Sequence, residues 1–473
     1  MKPSGVMEQG MTTPVLPIIK WMQTHVAVLG MGRSGQSAAD LLLDRGATVT
    51  LIEEQSRSDL EALRARYGAR VANMFFGGND ASALAEVEVL VVSPGVPVDH
   101  PLLQQARQQN IAVIGEIELA AWFLQAPIIA VTGTNGKSTT VRLIGSILQA
   151  SGKHAFVGGN LGLPLCEAVS RSTGHSLGPD YDYIVAEVSS FQLETIQRFK
   201  PWVAVLLNVT PDHLDRHPTQ EAYQAAKRRV FENQTDQDWM IINADDPIVR
   251  AMVVEAKARL CEFSLCHEVP QGIYQEGSMI RARLAGAADL VIDRADIPMR
   301  GQHNVSNAMV ALYVGLLCGC SREAMVMGLK TSPTFEHALE PVRTWQGLTF
   351  VNDSKGTNVD ATLKALQSFE QPVVLILGGK DKGGDFRNLL EAIHAGVKGL
   401  VVIGEATSRI VEELEGSATI ICATSLEDAV SQAIGLASNG DVVLFSPACS
   451  SFDMFLNYQQ RGLEFKRIVQ ELP

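Results

Sequence analysis

Apolar residues come in short bursts along this chain, and most bursts end in glycine. Val26-Ala27-Val28-Leu29 runs into Gly30-Met31-Gly32-Arg33-Ser34-Gly35, and Ile128-Ile129-Ala130-Val131 runs into Thr132-Gly133-Thr134-Asn135-Gly136-Lys137-Ser138-Thr139-Thr140. Short β-branched runs bounded by turn formers read as strands buried on both faces of a parallel sheet. Behind the second loop, Val141, Leu143, Ile144, Ile147 and Leu148 fall at helical spacing. Strand, glycine loop and helix in that order predict an α/β fold.

The pattern continues. Thr48 to Ile52 is a strand ending in Glu53, and Val87 to Val92 ends in Ser93-Pro94-Gly95. Tyr183-Ile184-Val185-Ala186 delivers Glu187, and Val203 to Leu207 opens into Asn208-Val209-Thr210-Pro211-Asp212-His213-Leu214-Asp215-Arg216-His217. Met240-Ile241-Ile242-Asn243 is a further strand, and residues around 255 to 298 read as irregular β structure. Gly301-Gln302-His303-Asn304-Val305-Ser306-Asn307 opens an apolar helix, with Asn304 and Asn307 on one face. After Pro333 strands restart at Leu348, Val373, Leu400 and Val442, each ending in a polar or glycine-bearing loop.

At 473 residues the chain exceeds one ordinary core, and about three domains are expected. The expected division is a flexible extension over 1–20, a Rossmann-like domain over 21–120, a P-loop ATPase-like parallel sheet over 121–330 and a second Rossmann-like domain over 331–473. A net charge of −13 argues against nucleic-acid and anionic-membrane partners. The longest apolar run, Ala308 to Cys320, is too short to cross a membrane. Seven scattered cysteines without a CxxC pair fit reduced thiols, so a cytoplasmic protein is expected.

Two loops carry candidate chemistry. In the Gly133–Lys137 loop, glycines let backbone N–H groups converge on phosphate oxygens, Lys137 reaches the terminal phosphates, and a hydroxyl can hold Mg²⁺. The common loop is longer; here only Thr134 and Asn135 separate the glycines. A carboxylate ending a parallel strand, Glu187, is placed for Mg²⁺. The Gly30–Gly35 loop followed by Glu53 is the fingerprint of dinucleotide binding, and read alone it points to NAD.

Jointly, Gly133–Thr139, Glu187 with Ser189-Ser190-Phe191-Gln192, Asn208 to Arg216, His303-Asn304 with Asn307, and Asp353-Ser354-Lys355-Gly356-Thr357-Asn358 resemble the Mur ligases, ATP-dependent amide-forming enzymes of peptidoglycan assembly. The resemblance runs from about residue 24 to the end. Ser446-Pro447-Ala448-Cys449-Ser450-Ser451-Phe452-Asp453 looks most like the D-glutamate-adding branch. It implies a cytoplasmic monomer acting on ATP, UDP-N-acetylmuramoyl-L-alanine and D-glutamate. The glycine-rich N-terminal loop would then hold UDP, not NAD, with contacts at Arg33, Ser34, Glu53, Glu54, Ser93, Gly95, Asn160 and His213. ATP would meet Thr134, Asn135, Gly136, Lys137, Ser138, Thr139, Thr140, Asn304, Asn307, His337, Asp353 and Lys355. Mg²⁺ would take Ser138, Glu187, His213 and Lys227, the last as a carbamate; Lys137, Glu187, His213 and Lys227 would be catalytic. D-glutamate would meet Thr357, Lys382, Ser451 and Tyr458. Glu53-Glu54 stands where members more often carry Asp followed by Ser or Thr, and Ala338 where an Arg is common. Three rivals follow from the same residues: a folylpolyglutamate synthase, which lacks the N-terminal unit, an NAD-dependent oxidoreductase, and a non-catalytic nucleotide-binding scaffold.

Overall fold

Each expected domain builds its own sheet. The structure is a computed structural model that describes residues 20–55, 59–78, 81–170, 181–213, 216–284, 290–299, 301–333 and 336–473. The extension expected over 1–20 lies, but for Lys20, outside the described residues, as do Leu214 and Asp215.

The first sheet holds β1 (His25–Leu29), β2 (Thr48–Glu53), β3 (Asn73–Phe76), β4 (Val89–Val92) and β5 (Ala112–Gly115) in the order β3-β2-β1-β4-β5, all parallel. The order reverses between β1 and β4. At that switch point open α/β sheets leave a ligand crevice beyond the strand ends.

The second sheet contains β6 (Ile128–Thr132), β7 (Ala155–Gly159), β8 (Tyr183–Glu187), β9 (Val203–Leu206), β10 (Trp239–Asn243), β11 (Arg259–Ser264), β12 (Gly272–Glu276), β13 (Met279–Arg283) and β14 (Leu290–Asp293). Its order is β14-β13-β12-β11-β10-β9-β6-β8-β7. β6 lies between β8 and β9, so the loop after β6 is flanked by the loops that follow Glu187 and Leu206. Among its described residues, the stretch expected as irregular forms regular strands. β11 and β12 continue the parallel sheet, and β13 and β14 extend it antiparallel. Ile273, Ile280, Ala282 and Ile292 face inward, Ala282 between Arg281 and Arg283, and pack under the apolar helix Gln302–Leu317.

The third sheet orders β15 (Glu340–Trp345), β16 (Leu348–Asn352), β17 (Val373–Gly378), β18 (Val397–Ile403), β19 (Thr419–Cys422) and β20 (Val442–Phe445) as β15-β16-β20-β17-β18-β19. Only β15 runs antiparallel to its neighbour. The three-domain α/β expectation is met.

A carboxylate ties the first two domains together. The helix Glu116–Ala121 leaves β5 and carries Glu118, which is fully buried. Glu118 accepts hydrogen bonds from the backbone N–H groups of Gln197, Arg198 and Phe199 at 2.9, 2.7 and 2.8 Å, and from Trp122 Nε1 at 2.5 Å. Removing it strands four donors. Glu118→Ala should lower the unfolding free energy by about 3 kcal/mol or more, read by urea denaturation. An unchanged midpoint would mean the freed donors reach water.

Candidate functional site

A cleft of about 1270 Å³ opens between the second and third domains. Its floor is the loop after β6. Gly133 and Gly136 take φ of +147° and +88°, which side chains rarely adopt, and Gly136 starts the helix Lys137–Ala150. Asn208 locks this loop from both directions. Its Oδ1 accepts from Asn135 N–H at 2.8 Å, and its Nδ2 donates to the Asn135 carbonyl at 3.0 Å. Thr134 Oγ1 donates to the Thr210 carbonyl and meets Tyr223 Oη, each at 3.1 Å.

Lys137 folds back over the loop, donating from Nζ to the carbonyls of Gly133 at 2.9 Å and Thr134 at 2.7 Å. Burial lowers its pKa, against the pull of Glu187 and Asp212. Lys227 approaches from beneath. It is 1% exposed, donates to the same Gly133 carbonyl at 2.8 Å and lies 4.5 Å from the Tyr223 ring centroid. Burial and the neighbouring Lys137 push its pKa well below that of an ordinary lysine.

Glu187 ends β8 in register with Val131 of β6, so its carboxylate stands beside the loop. It is buried and accepts from Asn160 Nδ2 at 3.0 Å. On the opposite flank, His213 has φ of +56° and its ring centroid lies 4.8 Å from that of Phe191. Asp212 beside it, which the sequence offers only as part of the polar run after β9, carries no assigned role there. Asn358 Nδ2 donates to it at 3.0 Å, and Lys382 Nζ stands 3.5 Å away. Burial raises the Asp212 pKa, but Lys382 and His213 outweigh that and hold it below the usual carboxylate value.

The third domain closes the cleft from above. Asn135 Nδ2 donates to Asp360 at 2.6 Å and to Asn358 Oδ1 at 3.3 Å, across the domain boundary. Asp353 is buried, accepts from Ser446 Oγ at 2.7 Å and Leu339 N–H at 3.1 Å, and has its pKa pushed up to about 7 by burial. Burial brings Lys355 down to about 8.

Most predicted residues meet here: Thr134 to Thr139, Asn160, Glu187, His213, Asn304, Asn307, Asp353, Lys355, Thr357, Lys382, Ser451 and Tyr458 all line the cleft. Thr140 lies just under it, bonded to Asn307 Oδ1 at 3.3 Å. His337 is buried behind the Asp353 loop, its Nδ1 2.9 Å from Asn352 Nδ2. The remaining set lies apart, around the glycine loop of the first domain. There Ser93 Oγ donates to the Gly30 carbonyl at 2.7 Å, Arg33 and Gly95 are exposed, and Ser34 sits in the first turn of the helix Arg33–Asp44.

A residue missed in the sequence is Arg461, 1% exposed on the helix Tyr458–Gln470. It donates to Ser354 Oγ at 3.0 Å and to the carbonyls of Ser354, Cys449 and Ser450 at 2.8 to 3.2 Å. It thereby clips the loop after β16 to the loop after β20. Its signal was an arginine in the apolar register of Phe465, Ile468 and Val469.

Among the described residues, no three His, Cys, Asp or Glu side chains gather as a metal site. A magnesium site would draw on other oxygens. The buried Glu187 carboxylate and the Ser138 hydroxyl at the loop are hard donors of the type that Mg²⁺ takes alongside substrate phosphates, so the residues fit the ion.

The domain order and the P-loop cleft define an ATP-dependent ligase architecture, and comparisons with known proteins give it a family. Residues 24–115 match the Mur ligase MurD-like N-terminal domain, 131–315 the Mur ligase middle domain and 339–449 the Mur ligase glutamate ligase domain. The chain belongs to the Mur ligase family. It is 43% identical to the UDP-N-acetylmuramoylalanine--D-glutamate ligase of Geotalea daltonii, over 94% of this chain and 97% of that protein. It is 44% identical to the enzyme of the same name from Syntrophotalea carbinolica, over 95% of this chain and 98% of the relative. A pseudomurein peptide ligase type C from Methanothermus fervidus shares the fold with a TM-score of 0.59 at 14% identity, covering 95% of this chain and all of that one (100%).

Proposed function

We propose that this chain is an ADP-forming ligase that adds D-glutamate to the L-alanyl carboxylate of UDP-N-acetylmuramoyl-L-alanine in peptidoglycan precursor synthesis. The observation that carries the reading is the single cleft in which Lys137 and Glu187 of the P-loop domain face Lys382, Thr357 and Ser451 of the third domain. A carboxylate resists amine attack until it bears a leaving group. ATP's γ-phosphoryl passes to the L-alanyl carboxylate, giving ADP and an acyl phosphate. The neutral amine of D-glutamate attacks the acyl carbon, and the tetrahedral intermediate expels phosphate as the C–N bond is retained and the amine proton is lost. Lys137, once released from its carbonyls, offsets charge on the transferring group. Glu187, Ser138, His213 and carbamylated Lys227 would hold Mg²⁺, which supplies further charge neutralisation on the phosphates. No helix among the described residues is long and apolar enough to cross a membrane, in keeping with a cytoplasmic setting.

Phosphate release measured with ATP and UDP-N-acetylmuramoyl-L-alanine tests this. D-glutamate should support turnover, while L-alanine, L-lysine and diaminopimelate should not. Release with another amino acid in preference would overturn the substrate, and none at all would favour a scaffold.

Lys382 is the proposed anchor for a D-glutamate carboxylate, and Asp212 beside it keeps the ammonium in place. A hydrogen bond to a charged group contributes roughly 1.5–3 kcal/mol, so Lys382→Ala should cost about tenfold to a hundredfold in D-glutamate use. Part of that loss should fall on kcat, because the bond also positions the nucleophile. If ATP affinity falls instead and the KM for D-glutamate holds, Lys382 serves the nucleotide.

A further inference from the structure

Glu53 ends β2 beside the Gly30–Gly35 loop and Glu54 follows it, but their carboxylates do different things. Glu53 is buried and bound to its own surroundings: Oε2 accepts from Met31 N–H at 2.9 Å and Oε1 from Gln55 N–H at 3.0 Å. Glu54 reaches across the sheet. Its Oε2 accepts from His100 Nε2 at 2.9 Å, while Oε1 is buried with no hydrogen-bond partner among the described residues. His100 lies on the loop after β4, where its Nδ1 accepts from Leu102 N–H at 3.3 Å and caps the helix Pro101–Gln108. That bond fixes the tautomer and leaves the ring hydrogen on Nε2, aimed at Glu54. Because β1 runs between β2 and β4, the Glu54–His100 bond spans the carboxyl end of β1 at the switch point.

We propose that His100 is a positioning residue that holds Glu54 as the acceptor for the nucleoside of the substrate. Glu54 Oε1 takes a hydrogen bond from a donor of that nucleoside, a ribose hydroxyl or a pyrimidine imide N–H. The inference rests on the nucleotide-sugar reading above. In sheets of this kind the acid at the end of the second strand reads the ribose. Here Glu53 holds two backbone donors of its own, so that duty passes to Glu54. A buried carboxylate oxygen lacking a donor is costly, and a ligand donor removes the cost. Without the imidazole, the flexible Glu54 side chain loses its fixed direction.

Calorimetric titration of the full-length protein with UDP tests the assignment. His100→Asn keeps an acceptor for Leu102 N–H, as asparagine is a good helix cap, but is too short to reach Glu54. Its Kd for UDP should rise about tenfold, while its affinity for ATP stays at the wild-type value. His100→Ala should weaken UDP binding as much and also lower Tm. The analogues 2′-deoxy-UDP and N3-methyl-UDP separate the two donors. The one lacking the donor that meets Oε1 should bind wild type about tenfold more weakly than UDP, and that penalty should vanish in His100→Asn. Wild-type affinity for UDP in His100→Asn overturns the proposal, as does equal affinity of the wild-type protein for all three ligands. Failure of the wild-type protein to bind UDP at all overturns the nucleotide-sugar reading with it, which separates the two failures.

Discussion

Glu187→Ala should abolish ATP-dependent ligation and leave the far-ultraviolet circular dichroism spectrum unchanged. The carboxylate ends β8 in register with Val131, one residue before β6 gives way to the P-loop. Among the described residues its side chain accepts from the amide of Asn160, and the fold loses that hydrogen bond when it is removed, about 1 kcal/mol. The reaction loses more. A ligand that brings a divalent cation to the transferring phosphoryl group contributes several kcal/mol in the transition state, and 3 kcal/mol, as a rough lower figure, is about 150-fold in rate. Glu187→Gln keeps an acceptor for Asn160 but no charge, and should be almost as inactive. Near-normal turnover in either variant, with a native spectrum, would remove Glu187 from the metal site.

Lys227 should behave as a carboxylate donor in disguise. Its amine is buried against the Gly133 carbonyl and the Tyr223 ring, with no acidic side chain bonded to it among the described residues. An ammonium there is poorly solvated, and burial favours the free amine that carbon dioxide requires. A carbamate would keep one N–H to donate to Gly133 and would add two oxygens for a second Mg²⁺ beside the nucleotide. Lys227→Ala should therefore lose activity by about three orders of magnitude, as expected for a lost metal ligand, and regain part of it with formate or acetate. Lys227→Arg should not be rescued. Full activity of the wild-type enzyme in carbonate-free buffer would refute the carbamate.

How much of this was readable beforehand depended on where a side chain's partner comes from. The P-loop, Glu187 and the Asn208 run were legible because backbone shape and strand order alone place them. The edge strands β3, β15 and β19 were not, since Asn73–Phe76, Glu340–Trp345 and Thr419–Cys422 are half-exposed and owe their pairing to neighbours. The stretch from 255 to 298 looked irregular although Ile280 and Ala282 of β13 alternate inward; its short runs hid a period of two. Glu53 matched the fingerprint in position, but only the fold reveals that its carboxylate is spent on Met31 and Gln55. Asp212 and Arg461 gain meaning solely from loops that arrive from distant parts of the chain.

The packing beneath Glu118 has a consequence for how the molecule comes apart. Val28, Leu41 and Leu119 share one continuous core with Ala130, Phe156 and Phe199, so the first two sheets have no apolar seam between them. The third sheet keeps its own cores, drawn from residues after 338, and the bonds that join it to the P-loop domain are polar. Cooperativity should follow that division. Scanning calorimetry without ligands should resolve two melting transitions where three domains would suggest three, the larger belonging to the fused pair. ATP, bound across both units as proposed above, should draw the transitions together by binding only the assembled cleft.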